Sequence, residues 1–141
     1  MASLPLLSYR VTDLSFHNAL VDPSHIQINL QLGYHLKHLP AGAMRGEMKM
    51  TLSDRTHPDA FVVKATLVGI FRAPEGMERE ASHKESFRVL FPYLRALVST
   101  VTANAGIPAI LLPPVDPEGK SITKVEFHPE GRPAEDDSAK E

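Results

Sequence analysis

The spacing of the apolar residues changes once along the chain, and this change constrains the fold more than any other feature. From Ile26 to Leu36 every second residue is apolar and the residues between are polar or glycine, as in a strand with one buried face. Beyond Ser86 the spacing becomes that of an amphipathic helix. The apolar residues of this stripe are Phe87, Leu90, Phe91, Leu94, Leu97, Val98 and Val101. The sequence therefore predicts an α+β fold in which a sheet is followed by one long helix.

Two segments after the first alternating run also read as strands. Met48, Met50 and Leu52 alternate with polar residues, and residues 60–72, AFVVKATLVGIFR, carry apolar side chains on both faces. Proline and glycine in LPAGA, and the polar cluster SDRTHPD, separate the runs and predict turns.

A fourth strand-like segment, SYRVTDLSFH at residues 8–17, precedes the others and has an interrupted alternation. Val11 and Leu14 are three residues apart, so a regular strand would place them on opposite faces. This predicts a β-bulge near Thr12 and Asp13. Because the loops between the four segments are too short for crossover connections, the sheet is predicted to be a four-stranded antiparallel meander.

The predicted helix contains a proline and ends at a glycine. Pro92 removes a backbone hydrogen bond and costs about 3 kcal/mol inside a helix, so either the helix begins near Phe91 or a longer helix is kinked at Pro92. Asn104 and Gly106 predict a left-handed cap. A single helix buries only one face on a small sheet, so a second, mixed face is left for a partner subunit. That face carries Tyr93, Leu97, Thr100 and Asn104.

Composition limits the classes of function. The chain has 141 residues, enough for one domain, and the absence of cysteine excludes disulfides and thiolate metal sites. Residues 128–141 hold five acidic and two basic residues, a net charge of −3, and nothing apolar larger than alanine besides proline, so we expect a disordered acidic tail after a single domain at residues 1–127. The remainder is nearly neutral, which argues against nucleic-acid binding.

The location of the protein is predicted from what its sequence lacks. The first ten residues, MASLPLLSYR, have no basic region followed by a long apolar run, and no stretch approaches the 18 or so apolar residues of a membrane span. We therefore expect a cytoplasmic protein without membrane insertion.

Three segments carry a resemblance to a known family. LFPYLRALVSTVTANAGIPAILLPPV at residues 90–115 resembles the main helix and the proline-rich segment of SecB, the bacterial protein-export chaperone. VGIF at residues 68–71 and YRVTDLSFHNA at residues 9–19 resemble that family's last and first strands. The resemblance implies a sheet of four antiparallel strands, a long helix, a second helix that is short or absent here, and a homotetramer, a dimer of dimers with the long helices between the dimers.

The same resemblance implies a function and a set of binding residues. Members of the family hold unfolded polypeptides, such as preproteins, in a translocation-competent state without ATP or any cofactor. The positions that fall in the family's client groove are Phe16, Leu20, Val21, Leu111 and Leu112, although the last two alternatively return to the core. Met44, Met48, Met50 and Met77 are further candidates for client contacts, although methionines in a strand are more often core residues. The outer face of the last strand is a better candidate for an interface unless a loop covers it, and it carries Val62, Val68 and Ile70.

Docking of the translocation motor SecA, which the resemblance also implies, is predicted to be weak in this chain. Asp13 and Val62 match the docking positions of the family, but His17 and Lys64 stand where acidic residues are expected. The loss of two negative charges weakens a complementary contact. An alternative function is therefore that of a SecB-like chaperone dedicated to one client, such as an antitoxin.

A hot-dog-like small-molecule binding protein or enzyme is the remaining alternative. A sheet wrapped on one helix also describes hot-dog thioesterases, for which Glu78, Glu80 or Glu85 would be the candidate carboxylate, but charged residues near the start of a helix are usually solvated. His35 and His38 lie on opposite faces of a strand, which disfavours a metal site. We expect no catalytic activity, cofactor or metal.

Overall fold

The computed structural model describes residues 4–22, 26–113, 115 and 125–127, the last three by their backbone. Within these ranges the chain forms five strands and one long helix, with a 3-10 turn at Pro40–Gly42 between the second and third strands. The elements are β1 (Leu6–Asn18), β2 (Ile28–His38), β3 (Ala43–Asp54), β4 (Phe61–Arg72), α1 (Arg79–Ala103) and β5 (Val125–Phe127). The predicted acidic tail, residues 128–141, lies outside the described residues.

The sheet has the strand order β1-β4-β3-β2-β5, and every pair is antiparallel. The prediction of a four-stranded antiparallel sheet with one long helix is confirmed. The meander, however, covers only β2, β3 and β4, because β1 pairs with β4 and not with β2. A strict meander would leave β4, which is apolar on both faces, at an open edge of the sheet. Pairing with β1 places β4 inside the sheet.

The strand β5 was not predicted from the alternation of apolar residues. It pairs with β2, and Phe127 lies opposite Ile28 at the start of that strand. Among the described residues, α1 is the only α-helix, and the chain is extended in β5.

The helix α1 runs without interruption through Pro92, so the longer of the two predicted helices is the correct one. Asn104 is its C-cap, and its backbone N–H donates to the carbonyl of Thr100. Gly106 follows with φ 82°, the left-handed conformation predicted for the end of the helix.

One face of the sheet packs against α1 and forms the core. Phe87 and Phe91 stack with ring centroids 5.4 Å apart, and Tyr34 of β2 meets Phe87 edge-on at 5.6 Å. The segment after the helix folds back along it, because Thr102 Oγ1 accepts from the N–H of Ile110 at 2.8 Å. Residues that are fully buried in this core include Ile28, Leu30, Leu32, Met44, Met48, Leu52, Phe61, Leu67, Phe71, Leu90, Leu94 and Leu112.

Candidate functional site: an apolar strand face, a cleft and a polar outer face

Two register shifts in β1 decide which of its side chains face the helix. The pairing with β4 shifts by one residue between Leu6 and Ser8 and again between Val11 and Asp13, so Leu7 and Thr12 are the extra residues. The bulge predicted near Thr12 and Asp13 is thereby confirmed. Because directly opposite residues of an antiparallel pair share a face, the second shift returns the apolar positions of the strand to the helix side of the sheet.

The resulting surface, which we call the β1 apolar face, consists of Tyr9, Val11 and Leu14. They lie opposite the inward-facing Gly69, Leu67 and Ala65 of β4, respectively, yet their exposed fractions are 44%, 38% and 48%. The helix contacts β2 and β4 more extensively than β1, which accounts for this exposure. Contiguous exposed apolar surface of this kind marks an interaction site.

The β1 apolar face continues onto the helix through one aromatic contact. The rings of Tyr9 and Tyr93 are 4.4 Å apart, and Tyr93 remains 40% exposed. Of the other residues on the predicted second helix face, Leu97 packs partly against the core, whereas Thr100 and Asn104 are exposed. The exposed helix face and the exposed strand face therefore adjoin each other.

A cleft of about 330 Å³ opens where β1 ends, and we call it the Val21 cleft. Its lining residues are Ala19, Leu20, Val21, Asp22, Asp54, Thr56, His57 and Ala60. Leu20 is partly buried, whereas Val21 is fully exposed. Phe16 lies just before the cleft on β1 and packs edge-on against Phe61, with ring centroids 5.9 Å apart. Three of the predicted client-binding residues thus lie at one end of the sheet.

The wall of the Val21 cleft is fixed by Asp54, a carboxylate that is only 3% exposed. Its two oxygens accept from the backbone N–H groups of Gln27 at 3.0 Å and His57 at 2.8 Å. The His57 ring also lies 3.5 Å from the carboxylate. Because both oxygens are engaged with the backbone, Asp54 holds the turn between β3 and β4 in place.

The two leucines predicted after the helix differ in exposure. Leu111 is 63% exposed, but Leu112 is 1% exposed and belongs to the core, where its carbonyl accepts from Arg95 Nε at 2.9 Å. In this conformation Leu112 offers no surface to a client, which matches the alternative that the segment after the helix returns to the core. Of the methionine candidates, Met44, Met48 and Met50 are also buried in the core, and Met77 packs against it.

The other side of the sheet, which we call the outer face, carries the predicted motor-docking residues. Asp13 lies opposite Thr66, Val62 lies opposite His17, and Lys64 lies between them on β4. Val62 is half-buried, so it offers only part of its side chain to a partner. Apart from Ala43, Val62, Val68, Ile70 and Gly33, the strand residues of the outer face are polar.

Val68, one of the outer-face positions considered for an interface, is only 3% exposed. It lies opposite Arg10 on β1 and Glu47 on β3, and long side chains on both neighbouring strands leave a valine between them little access to solvent. The expectation of an apolar interface at Val68 is therefore wrong for this conformation. Ile70 remains half-buried.

The residues weighed for catalysis occupy solvated positions. Glu78 and Glu80 are exposed, and Glu85 pairs with Arg88 at 3.3 Å along the helix surface. His35 and His38 lie on opposite faces of β2, as predicted. Within the described residues, no three His, Asp or Glu side chains are grouped as metal ligands, and no helix has the length and hydropathy of a membrane span.

The sequence patterns did not single out the β1 apolar face as a site. The interrupted alternation in β1 was visible in the sequence. It identifies an exposed apolar face only when the partner strand of β1 and the position of the helix are also known. The signal that points to it is the run of Tyr9, Val11 and Leu14 around the bulge.

Comparison with known proteins agrees with this architecture. In solved structures, the chain is similar to the Mycobacterium tuberculosis SecB-like chaperone in complex with a ChAD peptide from the HigA1 antitoxin, with a TM-score of 0.65 at 15% identity, covering 81% of this chain and 88% of that one. In sequence, it is 30% identical over 122 residues to the protein-export protein SecB of Hyphomonas neptunium, covering 81% of this chain and 74% of that protein. It is 31% identical over 131 residues to the SecB of Rhodospirillum centenum, covering 82% and 76%, respectively.

The antiparallel sheet with one long helix is thus the fold of SecB-like chaperones. The family model described as preprotein translocase subunit SecB matches residues 3–119, most of the chain. The protein belongs to the SecB family. The resemblance seen in the helix segment and the first and last strands is confirmed.

Proposed function

We propose that this SecB-family protein is an ATP-independent holdase chaperone that binds unfolded polypeptides, including preproteins, and keeps them translocation-competent. Membership of the family supports this function, as do the names of the relatives and the client peptide held by the M. tuberculosis chaperone. We further propose a cytoplasmic protein with no catalytic activity and no cofactor, built as one domain at residues 1–127 with an acidic tail.

The observation that carries the proposal is the exposed apolar surface at the end of β1. No other described residue covers Val21, and Leu20 and Phe16 are partly accessible beside it. Burying a valine side chain contributes about 1.5 kcal/mol to binding, and several such contacts along an extended client add up without sequence specificity. Leu111 is a further exposed position for such a client.

Light scattering of an unfolded enzyme diluted from denaturant, without ATP, tests the function. The wild-type protein is expected to suppress aggregation at a stoichiometry near one client chain per assembly. Val21→Asp is expected to weaken client binding about tenfold, because it places a charge where an apolar contact forms. Gln31→Asp, the same change of charge at an exposed position on the outer face, is the control and is expected to have no effect. Failure of the wild-type protein to suppress aggregation would contradict the holdase function.

We also propose that the protein assembles as a homotetramer, a dimer of dimers, through the exposed helix face and the β1 apolar face. Tyr93, Leu97, Thr100 and Asn104 on the helix supply the first surface. The contiguous exposed apolar area is consistent with burial against another subunit. The Val21 cleft lies at the end of β1, so client binding and subunit assembly would both use that strand.

A second candidate function is that of a SecB-like chaperone dedicated to one client, with weak SecA docking. It is favoured by the two side chains that stand where acidic residues are expected. Lys64 lies on the strand adjacent to Asp13, and His17 lies farther along β1. We expect SecA to bind weakly and expect His17→Glu with Lys64→Glu to strengthen the binding severalfold at low salt. Tight binding of SecA to the wild-type protein that is abolished by Asp13→Arg would contradict this candidate.

A further inference from the structure

The charge of the outer face has the opposite sign to the acidic docking surface that the family resemblance led us to expect. The register of the four long strands places six cationic and two carboxylate side chains on this face, a net charge of +4 with neutral histidines. The cations are Arg10, Lys37, Arg45, Lys49, Lys64 and Arg72, and the carboxylates are Asp13 and Glu47.

Two of these cations border a depression of about 370 Å³ in the outer face. Lys49 and Lys64 are exposed, and Ser15 lies opposite Lys64 on β1. Within the described part of the chain, neither lysine pairs with a carboxylate at 4.0 Å or less. Asp13 is the sole carboxylate that borders the depression. Two cations with one nearby anion create a local positive potential that favours an acidic ligand.

The chemistry of this face favours an acidic polypeptide over a nucleic acid. The four long strands place no Phe or Tyr on it, so bases have no aromatic side chain on which to stack. The cations are also interspersed with carboxylates and with threonine and serine, which suits a peptide that brings both charges and hydrogen-bonding groups.

An acidic segment of suitable length is part of the same chain. Residues 128–141 carry a net charge of −3, and the acids Glu135, Asp136 and Asp137 are consecutive. The preceding strand β5 ends with Phe127 opposite Ile28, at the edge of the sheet. The last residue before the segment therefore lies at the edge of the sheet, which borders the outer face as well as the helix side.

The distances allow this segment to reach the depression. Gln31 on β2, Thr51 on β3 and Lys64 on β4 are successive partners across the sheet. With about 3.3 Å per residue along a strand and about 4.8 Å between strands, Lys64 lies about 14 Å from Ile28 and about 17 Å from Phe127, one strand farther out. An extended chain from Phe127 to Glu135 spans up to about 26 Å.

We propose that the acidic segment at residues 128–141 binds in cis to the basic outer face, with Glu135, Asp136 and Asp137 at the depression between Lys49 and Lys64. Tethering gives the segment an effective concentration in the millimolar range, so weak charge pairs are sufficient to populate the bound state. The contact weakens with salt, because exposed charges are screened over about 8 Å at physiological ionic strength. An external acidic partner of this face has to displace the segment.

Disulfide trapping tests the proposal, and the absence of native cysteine makes each introduced pair unambiguous. Ser15→Cys is placed at the depression, and Ser138→Cys directly follows the three acids. Under mild oxidation at low salt, this pair is expected to form an intrachain disulfide about tenfold faster than the pair of Ala81→Cys and Ser138→Cys. Ala81 is exposed in the first turn of α1, which covers the other face of the sheet.

Charge reversal separates electrostatic docking from mere proximity. Lys49→Glu with Lys64→Glu is expected to lower the trapping rate at Ser15 to that of the Ala81 control. Arg79→Glu with Arg88→Glu on α1 changes the net charge by the same amount and is expected to leave the rate unchanged. Circular dichroism of each variant verifies that the fold is retained.

Three outcomes would overturn the proposal. They are equal trapping rates at Ser15 and Ala81, a trapping rate that is insensitive to reversal of the two lysines, and a product that is a covalent dimer in place of an intrachain loop. Binding of a single-stranded oligonucleotide that depends on the two lysines, together with equal trapping rates, would assign the face to nucleic acid. Because trapping reads out geometry alone, its result is independent of whether the protein suppresses aggregation.

Discussion

Tyr34 links the sheet to the helix through a buried polar contact. Its hydroxyl donates to Ser86 Oγ at 2.7 Å, and the Ser86 hydroxyl donates in turn to the carbonyl of His83 at 3.1 Å. Burial raises the pKa of Tyr34 from 10.0 to about 12, and the hydrogen bond with Ser86 opposes this rise. The hydroxyl is therefore a hydrogen-bond donor over the whole physiological range.

The raised pKa predicts a loss of stability in alkaline solution. In the unfolded chain Tyr34 loses its proton near pH 10, whereas in the folded chain it keeps the proton until about pH 12. The free energy of unfolding is therefore expected to fall by about 3 kcal/mol between these pH values through this group alone. Urea unfolding at a series of pH values measures it. Tyr34→Phe, which costs about 1 kcal/mol at pH 7 through the lost hydrogen bond, should lack this part of the slope; parallel curves for both proteins would contradict the prediction.

Gly46 on β3 leaves the space that the Tyr34 hydroxyl occupies. A Cβ at this position would overlap the hydroxyl and lie 3.0 Å from Cζ of the ring. Gly46→Ala is therefore expected to lower the free energy of unfolding by about 1–3 kcal/mol. Gly33→Ala on β2 is the matched control, since its Cβ would meet nothing within 4 Å.

A double-mutant cycle locates the cause of that loss. Tyr34→Phe removes the atom that a Cβ at Gly46 would overlap most, so the two substitutions together should cost less than the sum of their separate effects. Additive costs would show that Gly46 is required for a reason other than Tyr34.

At the scale of the element, α1 keeps a continuous helix in spite of Pro92. The proline is exposed, whereas Phe91 and Leu94 on either side of it are buried. Burial of the apolar stripe thus outweighs the local cost of the proline. The proline contributes no contact to the core that would explain its presence within this chain.

Pro92→Ala is expected to stabilise the folded protein. Alanine restores a backbone donor and is about 3 kcal/mol more favourable than proline in a helix, from which about 1 kcal/mol is subtracted for the greater freedom of the unfolded chain. The net gain of about 2 kcal/mol is measurable by thermal or urea unfolding. Arg88→Ala, at an exposed position one turn earlier, should change stability by only a few tenths of a kcal/mol. A destabilised Pro92→Ala variant would mean that the proline sets a helix geometry the assembly needs.

The elements were predictable from the sequence to the extent that their signals are local. The alternation in β2 and the stripe from Phe87 follow from one strand or helix and its buried face, and both were predicted. The pairing of β1 with β4 was not predicted, because strand order depends on contacts between segments that are distant in the sequence. The burial of Val68 was missed for the same reason, since it depends on two neighbouring strands.

The candidate site was likewise predictable from the sequence only in part. Leu20 and Val21 lie beside a cleft and Leu112 lies in the core, and client binding at these residues stays a prediction. The basic character of the outer face was visible only in part, as His17 and Lys64, since the sum over the face requires the register of all four strands. Sequence order scatters Arg10, Lys37 and Lys49, whereas the sheet gathers them on one side.

At the scale of the whole molecule, the exposed helix face and the β1 apolar face together predict assembly. Leu97→Asp places a charge at the centre of the proposed interface and is expected to split the tetramer into smaller species, since an unpaired charge in an apolar interface is costly. Native mass spectrometry measures the mass. Because Leu97 also packs partly against the core, Thr100→Lys, at an exposed position on the same face, is a second variant. Gln31→Asp is the control, and a native mass for both interface variants would contradict the assignment.

The extra residues in β1 also govern how this strand changes during evolution. In an unbulged strand, loss of one residue turns every later side chain to the opposite side. In β1, loss of Thr12 would remove the bulge and leave Val11, Leu14 and Phe16 on the helix side, because Asp13 alone would then separate Val11 from Leu14. Loss of a residue other than Leu7 or Thr12 would turn part of the strand to the outer face, so insertions and deletions in this strand should survive selection when they come in pairs or when they remove or create a bulge. Length variation among homologues of β1 is expected to be even-numbered or confined to positions around Leu7 and Thr12.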